Sequence, residues 1–208
     1  MNQLRCMILL LLFSVFALGQ TPQQGRPDSV PKQPSALVES LYRQVTARHP
    51  TGLPNAADMN VFAPYLSKRL LHRIDLARAC ARDWNRQDQK RRLTDNQVPE
   101  KAPFGWAESG IFSGGNERTE PDAFVVERTE SEKDGSSRAY VKLTLSSPPP
   151  EAWEVAVVLV RDNGHFVVDD VIYLKDKGDA DGVRLSKLLS DGCDGSRWVG
   201  LAEAKNKQ

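Results

Sequence analysis

Apolar residues fall into three regimes along the chain. Met7 to Leu18 is an apolar run interrupted only by Ser14, Leu37 to Trp84 repeats apolar positions every three or four residues, and after Ala123 they alternate or form short blocks bounded by Gly, Asn, Asp and Pro. The middle regime predicts helices. Ser35 is placed to cap a helix running to Arg48, with Leu37, Leu41 and Val45 joined by Val38 and Tyr42 on one face before His49-Pro50. Asp58 to Tyr65 reads as a short helical segment interrupted at Pro64, and Ser67 opens the longest amphipathic stretch. At about 100° per residue, Leu70, Ile74, Ala77, Ala81 and Trp84 share a stripe opposite Lys68, His72, Asp75, Arg82 and Arg86. Cys80 falls on the shoulder of that stripe, where a disulfide partner would reach it without entering the core.

From about Asp88 to Pro121 the periodicity stops. Phe104, Trp106, Ile111 and Phe112 are too apolar for a solvated linker, so the aromatic half is expected to dock and the polar half to be disordered. The last third predicts strands: Ala123 to Glu127, then Arg138 to Leu145 after a charged turn at Ser131 to Ser137, then Trp153 to Arg161 and His165 to Leu174. Asp162-Asn163-Gly164 separates the last two, and Asn-Gly favours a type I′ hairpin. Trp153 to Val160 is apolar on both faces and belongs inside the sheet. A short helix from about Val183 to Ser190, stopped by Gly192, would carry Cys193 back toward the helices. The expected fold class is α+β, with N-terminal helices packed on a curved antiparallel β-sheet and a short C-terminal helix.

The first regime changes the setting. Residues 1–19 read as a secretory signal peptide: Arg5 supplies the charge, Met7 to Leu18 is too short for the roughly 20 residues of a membrane span, and Ala17-Leu18-Gly19 suits cleavage. Cys6 precedes the apolar run, so it is not placed as a lipidation site. Residues 20–34 are a Pro-rich disordered linker, 35–200 a single domain and 201–208 a disordered tail. The expected location is secreted or periplasmic, with no membrane span after cleavage. Losing Arg5 balances 28 Lys and Arg against 27 Asp and Glu to zero, which argues against nucleic acid as a partner. In an oxidising compartment Cys80 and Cys193 are expected to form a disulfide, the alternative being two buried, inert thiols.

The run Trp153-Glu154-Val155-Ala156-Val157-Val158-Leu159-Val160-Arg161-Asp162-Asn163-Gly164-His165-Phe166-Val167-Val168-Asp169-Asp170-Val171-Ile172-Tyr173 resembles the closing hairpin of an exported bacterial family, a domain of unknown function. Its members are similar to the nuclear transport factor 2-like (cystatin-like, SnoaL-like) superfamily. Leu41-Tyr42 followed by Tyr65-Leu66-Ser67 and Leu70-Leu71 agree, as does Pro103-Phe104 through Gly110-Ile111-Phe112-Ser113. The resemblance spans most of residues 35 to 175. It implies a cone in which helices wrap a curved sheet, often around a pocket, and implies no activity, since relatives include isomerases, dehydratases, immunity factors and binding domains.

Asp169 and Asp170 are the candidate catalytic residues, because carboxylates inside an apolar strand need a partner or a task. Strand alternation sends adjacent side chains to opposite faces, so the two are not expected to act as a dyad. Hydrogen-bonded or ion-paired structural roles are the competing reading. Tyr42, Trp84, Trp106, Tyr140 and Trp153, with Phe104, are candidate pocket-lining residues under a cover near Trp106 and Glu108, although core packing explains them equally well. His49, His72 and His165 do not group, no Cys/His spacing suggests a metal, and Gly110-Ile111-Phe112-Ser113-Gly114 lacks the GxSxG pattern. Nine basic residues against three acidic ones lie between Lys68 and Arg92, and seven acids against three bases between Glu117 and Asp134, a polarity that can orient a partner. The reading is an exported non-catalytic domain, without cofactor or metal, that binds a small ligand or protein. The alternatives are an isomerase- or dehydratase-type enzyme using Asp169 or Asp170 as general base, and an immunity or inhibitor protein.

Overall fold

The computed structural model describes residues 33–95, 98, 100–107, 110–114, 120–174 and 182–201. The leader, nearly all of the Pro-rich linker, Glu108 and the tail from 202 lie outside the described residues. Helices α1 (Pro34–Arg48), α2 (Ala56–Phe62) and α3 (Lys68–Asp95) come first, with one turn of 3-10 helix at Ala63–Tyr65. Strands β1 (Ala123–Ser131), β2 (Ser137–Leu145), β3 (Glu151–Asp162) and β4 (His165–Tyr173) follow, then β5 (Val183–Arg184), α4 (Leu185–Ser190), β6 (Cys193–Asp194) and β7 (Arg197–Trp198). The fold is α+β.

Two expectations about the helices need correction. Ser35 does not cap α1: Gln33 is the cap position, without a side-chain bond, and Pro34 supplies the first helical residue, where its fixed φ is already suited. Helix α3 does not lose its regularity at Asp88 but runs on to Asp95. Its later turns are held by charge rather than by an apolar stripe, with Arg86 on Asp83 at 3.0 Å and both Arg91 and Arg92 on Asp88, at 3.7 and 3.0 Å. Its start follows the sequence, since Ser67 Oγ accepts Leu70 N–H at 2.9 Å.

Strands β1 to β5 form a sequential antiparallel sheet in which β3 is central, as its two apolar faces require, and β6 and β7 form a separate pair. Asn163 and Gly164 both take positive φ, 50° and 82°, and join Asp162 to His165 by the expected two-residue turn. One sheet face carries Ala139, Val141, Leu143, Val155, Val157, Leu159, Val168 and Val171 into the core. Helix α1 lies against β1, β2 and β4, whereas α3 meets the sheet at β4 and otherwise packs on α4 and the β6–β7 hairpin.

The aromatic half of the irregular segment docks. Phe104 stacks on Trp106 at 4.8 Å and meets Trp84 and Trp198 edge-on, while Phe112 packs on Phe62 at 4.9 Å. Three ring donors hold three consecutive carbonyls: Tyr173 O–H to Ile111 (2.7 Å), Tyr42 O–H to Phe112 (2.7 Å) and Trp153 Nε1–H to Ser113 (2.8 Å).

Cys80 and Cys193 form a disulfide across 113 residues. Cys80 is fully buried in the core rather than on an open shoulder. The reason is the β6–β7 hairpin, which folds over that side of α3: Trp198 N–H donates to Asp83 at 3.0 Å, and the Trp198 ring covers the backbone at Gly192. Among the described residues no helix is long and apolar enough to cross a membrane.

Candidate functional site

The pairing of β3 with β4 slips between Val158 and Leu159. Val158 faces Asp170 and Leu159 faces Val168, so Asp169 is an extra residue. A bulge of this kind suspends strand alternation. Asp169 and Asp170 therefore do not point to opposite faces; both line one groove of about 500 Å³, with Arg69, Lys133, Arg138 and Arg184 around them. The groove lies beside the β1–β2 turn, whose Glu132 and Asp134 also line it.

The bulge is anchored from α3. Ser67 N–H donates to Val168 O at 2.8 Å and Leu66 bridges to Val168 in parallel. Asp169 Oδ1 accepts Ser67 Oγ–H at 2.7 Å and Arg69 Nε–H at 3.0 Å, and Arg69 Nη2 pairs with Oδ2. Asp170 serves the other side. Its Oδ1 accepts the N–H of Val171 (3.0 Å) and of Ser186 (2.9 Å), and its Oδ2 accepts Ser186 Oγ–H (2.7 Å) and Arg184 (3.3 Å). Both carboxylates are thus buried and fully engaged as acceptors.

The guanidiniums that satisfy them remain in solvent. Arg69 is 65 % exposed over a 3 % exposed Asp169, and Arg184 is 47 % exposed over an 8 % exposed Asp170. Elsewhere in the groove Arg138 pairs with Glu132 at 3.3 Å. The hydroxyl of Ser136 and then its N–H hold the Asp134 carboxyl below the usual carboxylate range. Lys133 makes no ion pair or hydrogen bond among the described residues. Over Asp169 and Asp170 the groove offers guanidinium donors outward, and at its β1–β2 rim the Lys133 ammonium stands beside the exposed carboxylates of Glu132 and Asp134.

The five candidate pocket aromatics are not brought together. Tyr42, Trp84 and Trp106 are buried in the core, and Trp153, directly opposite Leu143, sits at its margin. Tyr140 faces the other way, with the Arg128 guanidinium 3.5 Å from its ring centroid, because it alternates with the core residues Ala139 and Val141. None of the five lines the groove. Burial pushes the hydroxyls of Tyr42 and Tyr173 far above their ordinary range, in keeping with permanent donors to Phe112 and Ile111. His49 is the left-handed cap of α1, His72 lies exposed on α3 and His165 begins β4. Among the described residues no three His, Cys, Asp or Glu side chains group as metal ligands.

Sequence reasoning passes over Arg69, Arg184 and Ser186, which complete the site. Ser67 is visible as a helix cap, but no spacing links it to Asp169, which lies 102 positions away. No protein-family model, no curated protein and no solved structure matches this chain.

Proposed function

We propose that this chain is an exported, non-catalytic binding domain whose site is the groove over the β4 bulge, and that the groove takes a polar ligand through an anionic group. The observation that carries the reading is the layering of charge over the bulge, where the Asp169 and Asp170 carboxylates lie beneath and the Arg69 and Arg184 guanidiniums outermost. Arg69 and Arg184 each spend part of their five-donor fork on an aspartate and keep the rest for a ligand, with Lys133 beside them. A general base needs a carboxylate free to take a proton from substrate, and Asp169 and Asp170 are both committed to protein donors, which disfavours the isomerase or dehydratase alternative. The Cys80–Cys193 bond supports a secreted or periplasmic setting. Helices followed by an antiparallel meander support the nuclear transport factor 2-like resemblance.

The test is amide-shift mapping with citrate as the anionic probe. Saturable shifts are expected at Lys133, Ser136 and Arg184, and a Lys133→Gln/Arg184→Gln double variant should weaken them roughly tenfold. Shifts scattered over the surface, or unchanged by the double variant, overturn the assignment.

A further inference from the structure

A second cleft, of about 290 Å³, is lined from α3 by Arg73 and Leu76, from α4 by Ser186, Leu189 and Ser190, and beyond it by Cys193 of the disulfide and Gly195. It is separate from the groove, and its reading does not depend on the groove's. Two features point to one ligand chemistry. Arg73 is half-buried yet makes no ion pair or hydrogen bond among the described residues, whereas Arg69, Arg78, Arg86, Arg91 and Arg92 of the same helix all do and Arg82, which also makes none, is exposed. A guanidinium that has given up part of its hydration without a protein acceptor is a ready partner for an anion. The serines do not compete for that role. Ser186 Oγ donates its proton to Asp170, and Ser190 Oγ donates to the carbonyls of Lys187 and Ser186, so neither hydroxyl is an anion donor. The remaining wall is apolar, made by Leu76, the buried Leu189 and Cys193.

We propose that this cleft binds a small monocarboxylate with an unbranched apolar tail, its carboxylate on Arg73 and its tail along Leu76, Leu189 and the disulfide. One cation matches one negative charge, and the planar guanidinium fork matches a carboxylate. The volume lies at the small end of ligand sites, which run from roughly 300 to 1,000 Å³, and suits a medium-chain acid rather than a long-chain one.

The experiment is an amide-shift titration of the disulfide-intact protein with octanoate. Saturable shifts are expected at Ser190, Cys193 and Gly195. Acetate, which has the head without the tail, and octanol, which has the tail without the charge, should each bind at least roughly tenfold more weakly. Arg73→Met keeps an apolar stem and breaks no hydrogen bond or ion pair among the described residues, so it should melt like the parent while octanoate binding falls to the level of octanol. Leu76→Trp, which fills the cleft and leaves Arg73 in place, should also abolish binding. Absence of saturable shifts, octanol binding as tightly as octanoate, or unchanged binding in Arg73→Met overturns the proposal.

Discussion

Asp170 Oδ1 on β4 accepts the backbone N–H of Ser186 at 2.9 Å and so caps α4, whose own cap residue, Arg184, makes no side-chain capping bond. The residue before it does the corresponding work for α3: Asp169 accepts the Ser67 hydroxyl proton, and the oxygen of that hydroxyl accepts Leu70 N–H. Two consecutive acids thus secure the starts of two helices, which unbroken strand alternation would forbid and the bulge permits. The same two helices bracket the disulfide, because α3 carries Cys80 and α4 leads into Cys193.

Asp170→Ala removes a helix cap and leaves the Ser186 N–H and hydroxyl without their acceptor. A loss of about 2 kcal/mol is expected by denaturant unfolding. Amide exchange should quicken in α4 and at Cys193 ahead of β2 and β3, and Asp170→Asn, which keeps one acceptor oxygen, should lose about half as much. An Asp170→Ala protein as stable as the parent would remove the capping role.

Ser67 and Asp169 act as one unit, so their substitutions should not add. Ser67→Ala costs about 1 kcal/mol through the α3 cap, and Asp169→Ala costs more, because Arg69 is released as well. The double variant is expected to fall short of the sum by about 1 kcal/mol in a double-mutant cycle. Strict additivity would mean that the hydroxyl does not depend on the carboxylate.

These relationships also mark where the sequence stops being informative. Leu37, Leu41 and Val45, and then Leu70, Ile74, Ala77 and Trp84, announce their helices because burial itself imposes the helical period, and Asn163-Gly164 announces its turn because both residues must take positive φ. The end of α3 is silent to that reading, since Asp83 and the buried Asp88 hold it by ion pairs with arginines of the same helix rather than by an apolar stripe. Asp169 and Asp170 stand out as acids in an apolar run, but the bulge that aligns them depends on Ser67 N–H reaching Val168 O from about a hundred residues away. Tyr140 is misplaced among the pocket aromatics for a simpler reason: its side depends on the register with β3, which the residue type does not reveal.

The disulfide closes a loop of 113 residues, for which chain-entropy arithmetic allows up to about 4 to 5 kcal/mol. A Cys80→Ser/Cys193→Ser variant should lose most of that and also carry two hydroxyls at a site that is fully buried on the Cys80 side. The expected order of opening is specific. The β6–β7 hairpin and α4 should lose exchange protection first, with β2 and β3 retaining theirs. Peptide mapping without reductant should recover Cys80 and Cys193 on one cross-linked species, and free thiols at both positions would contradict the bond.

Glu120 should make stability fall as pH rises through neutrality. Its Oε1 is buried without a hydrogen-bond partner among the described residues, and Ser113 Oγ donates to Oε2 at 3.3 Å. Burial outweighs that bond and pushes the carboxyl up to about 7, above its ordinary value of 4.5. The folded state therefore holds the proton more tightly than the unfolded chain. The associated stability is fully present below the unfolded value and is lost as pH climbs through about 7. Because Glu120 is only half-buried, solvent screening reduces the effect to about 1 kcal/mol. Asp134 and Asp83, whose carboxyls are held low by Ser136 and by Trp198 respectively, act in the opposite sense and at lower pH, outside this window. The measurement is the urea midpoint at about pH 5 and about pH 8 for the parent and Glu120→Gln. The parent should lose stability across the interval while the variant loses about 1 kcal/mol less; identical slopes would assign the titration to another group.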